Sequence, residues 1–244
     1  MPATLANRSF RSHADLSTPA DTVVFFPYAG STAASGRRLL ECLPAGYVGL
    51  SVQYPGKGDR KSEPEARSIE ALATGIAEDF AEAGLLDGRP LTLYGHSLGA
   101  AVAFEVARRL ESTGCHLQRL CVSGRCAPSQ SLNFTLPLTD QVILDNLIIG
   151  GGIHPEVLNK PKFRDALVAG VRNDYTLNVT YRASPFIQLR TGMRFLLSGA
   201  DPYVDEADAY AWAVHTAGGF ELLRYPGGHF FIDTNLHRVA QALQ

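Results

Sequence analysis

Leu91-Thr92-Leu93-Tyr94-Gly95-His96-Ser97-Leu98-Gly99 is an apolar run ending in a G-x-S-x-G pentapeptide, and a helical pattern, Ala100 to Leu110, follows at once. This predicts a strand, a sharp turn and a helix, with a serine at the apex. A nucleophile elbow requires that context. The serine of such a turn has a strained backbone, and a side chain two residues before or after it would collide with the turn. Glycine at both flanks removes the collision. The helix then directs its free N–H groups and partial positive charge at the reacting oxygen. The pattern implies acyl-transfer chemistry at a serine, either hydrolysis or transfer.

Working outward, strand-like and helix-like segments alternate. Thr22 to Phe26 and Tyr47 to Gln53 read as strands, with a short helix between them at Thr32 to Leu43. Tyr54 to Arg60 reads as a loop. Ser68 to Leu86 reads as an amphipathic helix with Ile69, Leu72, Ile76, Phe80 and Ala83 at helical spacing. After the elbow come strands at Leu117 to Ser123, Met193 to Ser198 and Glu221 to Tyr225, and helices at Asp205 to Ala217 and Phe231 to Leu243. This order predicts an α/β fold with a mostly parallel central sheet flanked by helices. Its chemistry belongs in the loops at the C-terminal ends of the strands. One domain is expected over 1–244. Residues 127–190 break the alternation and are expected to be a helical insertion. Thr139 would cap a helix to Ile149, and Pro161 would start another toward Tyr181. The insertion would cover the catalytic mouth as a lid, with Val142, Ile143, Leu147 and Ile148 as an acyl-chain wall or as its packing onto the body.

A formal charge of −2 without a basic stripe gives nucleic acid no footprint. No apolar run approaches the roughly 20 residues of a membrane span. Met1 to Asp21 is polar and lacks the apolar core of a secretory signal, so a cytoplasmic protein with reduced thiols is expected. Cys42, Cys115, Cys121 and Cys126 have no metal-ligand spacing. The glycosylation-like triplets at Asn7, Asn133 and Asn178 carry no meaning in that compartment.

A serine nucleophile needs a general base and an orienting carboxylate, and in elbow enzymes the chain order is Ser, then Asp or Glu, then His. Of seven histidines, His229 alone follows the last strand with loop flanks, in Gly227-Gly228-His229-Phe230. His237 and His215 fall within helices, His13 in the polar N-terminal stretch, His116 just before a strand and His154 in the insertion. His96 adjoins the serine and is expected to support the turn. Asp201, in Gly199-Ala200-Asp201-Pro202, follows a strand and is the expected acid. Asp205 and Asp208 read as charges at a helix N-terminus. The tetrahedral oxyanion needs two backbone donors. One is the N–H of Leu98. The other comes from Tyr28 or Ala29, in Phe26-Pro27-Tyr28-Ala29-Gly30, and Ala29 is favoured.

Taken in order, Phe26 to Ser31, Gln53-Tyr54-Pro55-Gly56 with Asp59-Arg60, Gly95 to Gly99, Ala127-Pro128, Arg172-Asn173-Asp174-Tyr175, Gly199 to Pro202 and Gly228-His229-Phe230 resemble the stand-alone type II thioesterases of polyketide and nonribosomal peptide synthesis. The departures are Tyr28 where the family usually has His, Ser31 where it has a second Gly, Leu98 where it has Met, and Asn173 and Tyr175 within an Arg-Ala-Asp-Phe pattern. The resemblance implies an α/β-hydrolase fold and a monomer. It also implies removal of stalled acyl groups from the phosphopantetheine arm of acyl or peptidyl carrier proteins, with no metal or other cofactor. Coenzyme A presents the same arm, so acyl-CoA hydrolysis stands as an alternative, as does a carboxylesterase or lipase acting on oxygen esters.

An acyltransferase would carry an arginine about 25 residues after the serine to hold a substrate carboxylate; here Arg125 lies slightly beyond that spacing. A binding protein on the same fold would commonly have lost a triad member, and none is lost here. Lys57 and Arg60 could meet the arm's phosphate, or could be a solvated loop lysine and a structural ion pair. Arg172 and Asp174 could pair with each other or support the lid. Cys126 reads as a small buried filler.

Overall fold

The structure, a computed structural model, describes residues 8–13, 20–132, 136–154, 156 and 159–244. The triplet at 133–135 and the N-terminal residues 1–7 and 14–19 lie outside the described residues. Among the described residues, seven strands form one sheet: β1 (Phe10–Ser12), β2 (Asp21–Phe26), β3 (Tyr47–Val52), β4 (Leu91–His96), β5 (Arg119–Ser123), β6 (Met193–Ser198) and β7 (Phe220–Tyr225). Their order is β1-β3-β2-β4-β5-β6-β7. Every neighbouring pair is parallel except β1–β3, in which Phe10 lies opposite Val52. Phe26, His96, Ser123 and Ser198 therefore end on one edge, and the loops that follow them converge there.

The side chains of β2 show how the layers are built. Val24 and Phe26 join one core, whereas Val23 and Phe25 join the other, as period-2 alternation requires. β4 lies in the middle and is buried throughout, so it reads as a continuous apolar run. On the first face, α2 (Ile69–Glu82) packs on α3 (Leu98–Ser112). Ser68 caps α2, accepting the N–H of Ala71 at 3.0 Å. Small residues let α3 lie close to the sheet, and it is buried on almost every side. On the second face, α1 (Arg37–Leu40) packs on α7 (Leu236–Ala242).

Several elements are shorter than their patterns imply. Thr32 to Leu43 is a 3-10 turn, Ala33–Gly36, running into α1. Asp205 to Ala217 divides into α6 (Glu206–Tyr210) and a 3-10 turn, Ala211–His215, around the fully buried Trp212. Asp205 and Asp208 form a capping box at the start of α6. Phe231 to Leu243 divides at Asn235, whose side-chain amide donates to the carbonyls of Phe231 (2.8 Å) and Pro226 (3.1 Å).

Between β5 and β6 lie α4 (Asp140–Ile149) and α5 (Pro161–Thr180). Thr139 caps α4 through the N–H of Val142 (3.2 Å), and proline opens α5, where its missing donor costs nothing. Ile143, Leu144, Val168 and Val171 pack into a small core of their own. Two side chains at the C-terminal end of α5 tie it to the body. Tyr181 O–H donates to the buried Glu105 (2.9 Å), and Arg125 Nε donates to Asn178 Oδ1 (2.9 Å).

Candidate active site

Ser97 has φ 55° and ψ −121°, and among the described residues it is the one non-glycine with positive φ. The turn leaves no room for side chains at its flanks. A Cβ on Gly95 would stand 2.1 Å from the carbonyl oxygen of Gly99, and one on Gly99 would stand 2.0 Å from that of Phe26. The strain is held in place by the Ser97 N–H, which donates to the Ser123 carbonyl at 2.9 Å. Beneath the turn, His96 Nδ1 meets Ser123 Oγ (2.8 Å), which in turn meets the Tyr94 hydroxyl (2.9 Å). His96 is fully buried, and its burial, with His229 alongside, holds its pKa well below the ordinary histidine value.

His229 sits in the loop after β7. Its Nδ1 lies 2.9 and 3.1 Å from the two carboxylate oxygens of Asp201, and both side chains are almost fully buried. A carboxylate can only accept, so Nδ1 carries the proton and the Nε2 lone pair is left for the pocket. Asp201 also accepts the backbone N–H of Tyr203 (3.0 Å). The Tyr203 ring stands edge-on to the imidazole, with centroids 5.0 Å apart, and its hydroxyl donates to the Asn146 carbonyl on α4. Burial, with the Asp201 charge nearby, pushes that phenol up to about 12. Ser97 and His229 line one pocket of about 50 Å³, together with Tyr28, Ala29, Leu147, Tyr175, Tyr203 and Phe230.

The two expected backbone donors belong to the elements that meet at Ser97. Leu98 opens α3, and a helix has no internal partner for its first N–H groups. In the β2 loop, the Tyr28 carbonyl is tied back by Ser31, through its N–H (3.1 Å) and its hydroxyl (2.6 Å). The peptide is planar, so the Ala29 N–H on its opposite side is turned away from Ser31. Gly30 N–H is already taken by the Asp174 carboxylate (2.7 Å). Ala29 and Tyr28 both line the pocket, and the Ala29 N–H, turned away from Ser31, remains a candidate donor from this loop.

Other expected residues lie elsewhere. Lys57 and Arg60 are buried and committed. Lys57 pairs with Asp174 (2.9 Å), whereas Arg60 pairs with Glu63 (2.8 Å) and donates to Ser9 Oγ and the Gln53 carbonyl. A fixed internal charge cannot reach a phosphate, so the phosphate-contact reading of this pair is withdrawn. Arg172 and Asp174 do not pair with each other: Arg172 reaches Asp140 and the Leu138 carbonyl. Arg125, buried against Asn178, is not offered to a substrate carboxylate. Burial raises the pKa of the Cys126 thiol, opposite to what a nucleophile needs. His215 is buried between the Ile187 carbonyl and Ser129 Oγ, and His154 and His237 are exposed. Of the expected acyl-chain wall, Leu147 alone lines the pocket, because Ile143 turns into the small core of the insertion. Among the described residues, no group of three His, Cys, Asp or Glu side chains could hold a metal ion.

The pocket also uses residues to which the sequence reading gave no role. Tyr203 and Phe230 flank the imidazole; Tyr203 lies two residues after Asp201, and Phe230 follows His229 within the Gly228-His229-Phe230 motif. Gly124 has φ 67°, and a Cβ there would stand 2.6 Å from His96 Cε1 and 3.0 Å from His229 Cε1. A glycine directly after a strand was the available sign.

A serine on an elbow and a carboxylate-oriented histidine bordering one pocket are the arrangement of a serine hydrolase of the α/β-hydrolase fold. A family model described as "Thioesterase domain" matches residues 21–244, and the chain belongs to that family. It is 35% identical to thioesterase PikA5 of Streptomyces venezuelae over 89% of this chain and 77% of that one. With thioesterase TesA of Mycobacterium marinum the identity is 30%, over 97% and 95%. It also matches the phenyloxazoline synthase MbtB of Mycobacterium tuberculosis at 37% identity, but over only 15% of that protein's length. Among solved structures, the type II thioesterase BorB of the borrelidin cluster superposes with TM-score 0.82 at 32% identity over 97% of this chain and 98% of that one. YbtT, a type II thioesterase from the yersiniabactin pathway, superposes with TM-score 0.85 at 27% identity, over 96% and 95%. Among the described residues, no helix is long and apolar enough to cross a membrane.

Proposed function

We propose that this chain is a serine thioesterase that releases acyl groups from the phosphopantetheine arm of carrier proteins in a polyketide or nonribosomal peptide pathway. One observation carries the reading: in a thioesterase-family chain, Ser97, the Asp201-oriented His229 and Ala29 all border a single pocket roofed by the insertion, with Leu98 directly after the serine.

Ser97 Oγ attacks the thioester carbonyl while His229 Nε2 takes its proton. The carbonyl oxygen becomes an oxyanion between the two amides. As the tetrahedral intermediate collapses, the carbon–sulfur bond breaks, and His229 returns the proton to the leaving sulfur. The acyl group is now an ester of Ser97. Water attacks it, His229 again takes the proton, and the acid leaves as Ser97 is restored. Asp201 holds the imidazole tautomer and stabilises its positive charge at each stage. Every step uses side chains and backbone alone; the substrate brings its own phosphopantetheine.

The test is acid release from acetyl- and butyryl-loaded carrier protein, alongside the matched acyl-CoA and p-nitrophenyl esters. Ser97→Ala should fold normally and lose at least about four orders of magnitude in kcat. Ser97-dependent turnover of the carrier that outpaces the oxygen ester supports the proposal. A fast oxygen ester with an inert carrier would make the chain a general esterase, and a preference for coenzyme A would move the substrate to the free thioester.

A further inference from the structure

Four hydrogen-bonding groups hold the β2 loop, and one of them comes from the insertion. Tyr54 O–H fixes the Pro27 carbonyl (3.0 Å), and Ser31 fixes that of Tyr28 twice. The fourth group is Asp174 on α5, whose Oδ2 accepts both the Gly30 N–H (2.7 Å) and Lys57 Nζ (2.9 Å). Lys57 Nζ also donates to the Gly170 carbonyl on α5 (3.0 Å). The helix and loop are in close contact here: a Cβ on Gly30 would stand 2.7 Å from Val171 Cγ1.

We infer that Asp174 is a positioning residue for the oxyanion donor at Ala29, so that the oxyanion hole is complete only while α5 is docked on the β2 loop. The inference rests on Ser97 being the nucleophile. The Ala29 backbone lies between two held peptide planes. Ser31 orients the plane before it, and Asp174 orients the plane after it. Gly30, at φ 78°, is the residue on which that second plane would turn, since glycine resists rotation least. The Ala29 N–H belongs to the first plane, so release of the second reaches it through a shift of the Ala29 Cα, and an amide that must lie about 2.7–3.1 Å from the oxyanion tolerates little such shift. The ion pair with Lys57 keeps the carboxylate in place inside a site that excludes water. Insertion closure and catalytic competence are thereby joined through a single carboxylate.

A fluorophosphonate probe tests this without knowledge of the natural acyl group. Ser97 Oγ forms a bond to phosphorus, fluoride leaves, His229 takes the serine proton, and the phosphoryl oxygen occupies the oxyanion hole. Lys57→Met with Asp174→Leu removes the buried charges together and leaves Gly30 N–H without an acceptor. Lys57→Met with Asp174→Asn removes the charges but keeps an acceptor oxygen. Labelling of the leucine variant should be at least about tenfold slower than that of the asparagine variant, short of the roughly 10²–10³ expected for outright loss of a donor. Thr176→Ala, on the exposed side of α5, should label like the wild type. Asp174→Glu retains the charge pair but displaces the acceptor by a methylene, and should lower kcat on a thioester with KM little changed. Equal labelling by the two folded double variants, or an unchanged kcat in Asp174→Glu, would overturn the inference while leaving Ser97 as nucleophile. A wild type that fails to label would remove the nucleophile reading and this inference with it.

Discussion

The turn at Ser97 has no spare room, whereas the insertion above it has a great deal. A methyl group on Gly95 or Gly99 would sit inside the van der Waals radius of backbone oxygens. A methyl on Gly151 or Gly170 would touch nothing within 4 Å. The body buries α3 on nearly all sides, but among the described residues α4 and α5 share a core of four buried side chains of their own and leave Ile149 and Phe163 more than half exposed. Geometry is therefore stored in the body, where close packing over-determines a strained residue. Polar links to the body include Lys57–Asp174, Tyr203–Asn146, Tyr181–Glu105 and Arg125–Asn178, while Arg172–Asp140 ties α5 to α4. Segments with so few buried apolar contacts lie at the low end of local stability, the property a moving cover needs.

Gly99→Ala would test the rigid side of this contrast most severely. Its Cβ would meet the Phe26 carbonyl oxygen, which is itself fixed in the sheet, so neither partner can give way cheaply. A loss of at least about 3 kcal/mol is expected, near the upper range for single substitutions. Chemical denaturation should show it as a lowered midpoint or as failure to accumulate folded protein. A variant with wild-type stability would mean that the turn is far more pliable than its contacts imply.

Legibility followed the same division. Period-2 and helical patterns with local punctuation located six strands, the elbow, Thr139 as a cap and Pro161 as a start, because each of these is decided within a few residues. β1 escaped: its three residues carry no pattern, and it exists because Phe10 pairs with Val52 and packs edge-on to Phe80. The true partners of Lys57, Arg60 and Asp174 escaped for the same reason. Lys57 and Asp174 meet only once the sheet has been assembled, and nothing local distinguishes a loop lysine bound for solvent from one bound for a buried carboxylate. The pairing of Asp201 with His229 was legible because an elbow enzyme fixes the chain order in which such residues occur. The aromatic pocket wall was not, since aromatic residues beside a strand end serve core and pocket equally well.

A pH titration of stability probes the floor of the turn. His96 has a folded pKa well below its unfolded value near 6.5, first because it is buried and second because His229 lies beside it. The unfolded chain therefore binds a proton that the folded chain refuses. Stability from this group is complete above about pH 6.5 and is lost as pH falls from there toward the folded pKa. His13 and His215 are also lowered by burial and act with the same sign. Melting temperature should fall between pH 7.5 and 5.5. His96→Asn, which can still reach Ser123, should flatten the slope in part and leave the share of the other two. An unchanged slope would remove His96 from the balance.

The smallest effect falls on the loose side and asks whether the two regions unfold together. Gly170 lies within α5, is exposed, and would gain a methyl that meets nothing. Its carbonyl, which accepts from Lys57, is present in any residue. Alanine should therefore add about 0.5–1 kcal/mol of helix stability through reduced backbone freedom in the unfolded chain. If insertion and body form one cooperative unit, melting temperature rises by about 1–4 °C in a chain of this size. If the insertion opens by itself, the melting temperature stays put, and the gain appears only as slower amide exchange or slower proteolysis within 139–181. The second outcome would give the cover its own opening equilibrium, and the Asp174 link to the β2 loop would then make that equilibrium a direct multiplier of the catalytic rate. A gain in neither measurement would mean that α5 is held too firmly for its own propensity to matter, and the contrast between rigid floor and loose roof would have to be abandoned.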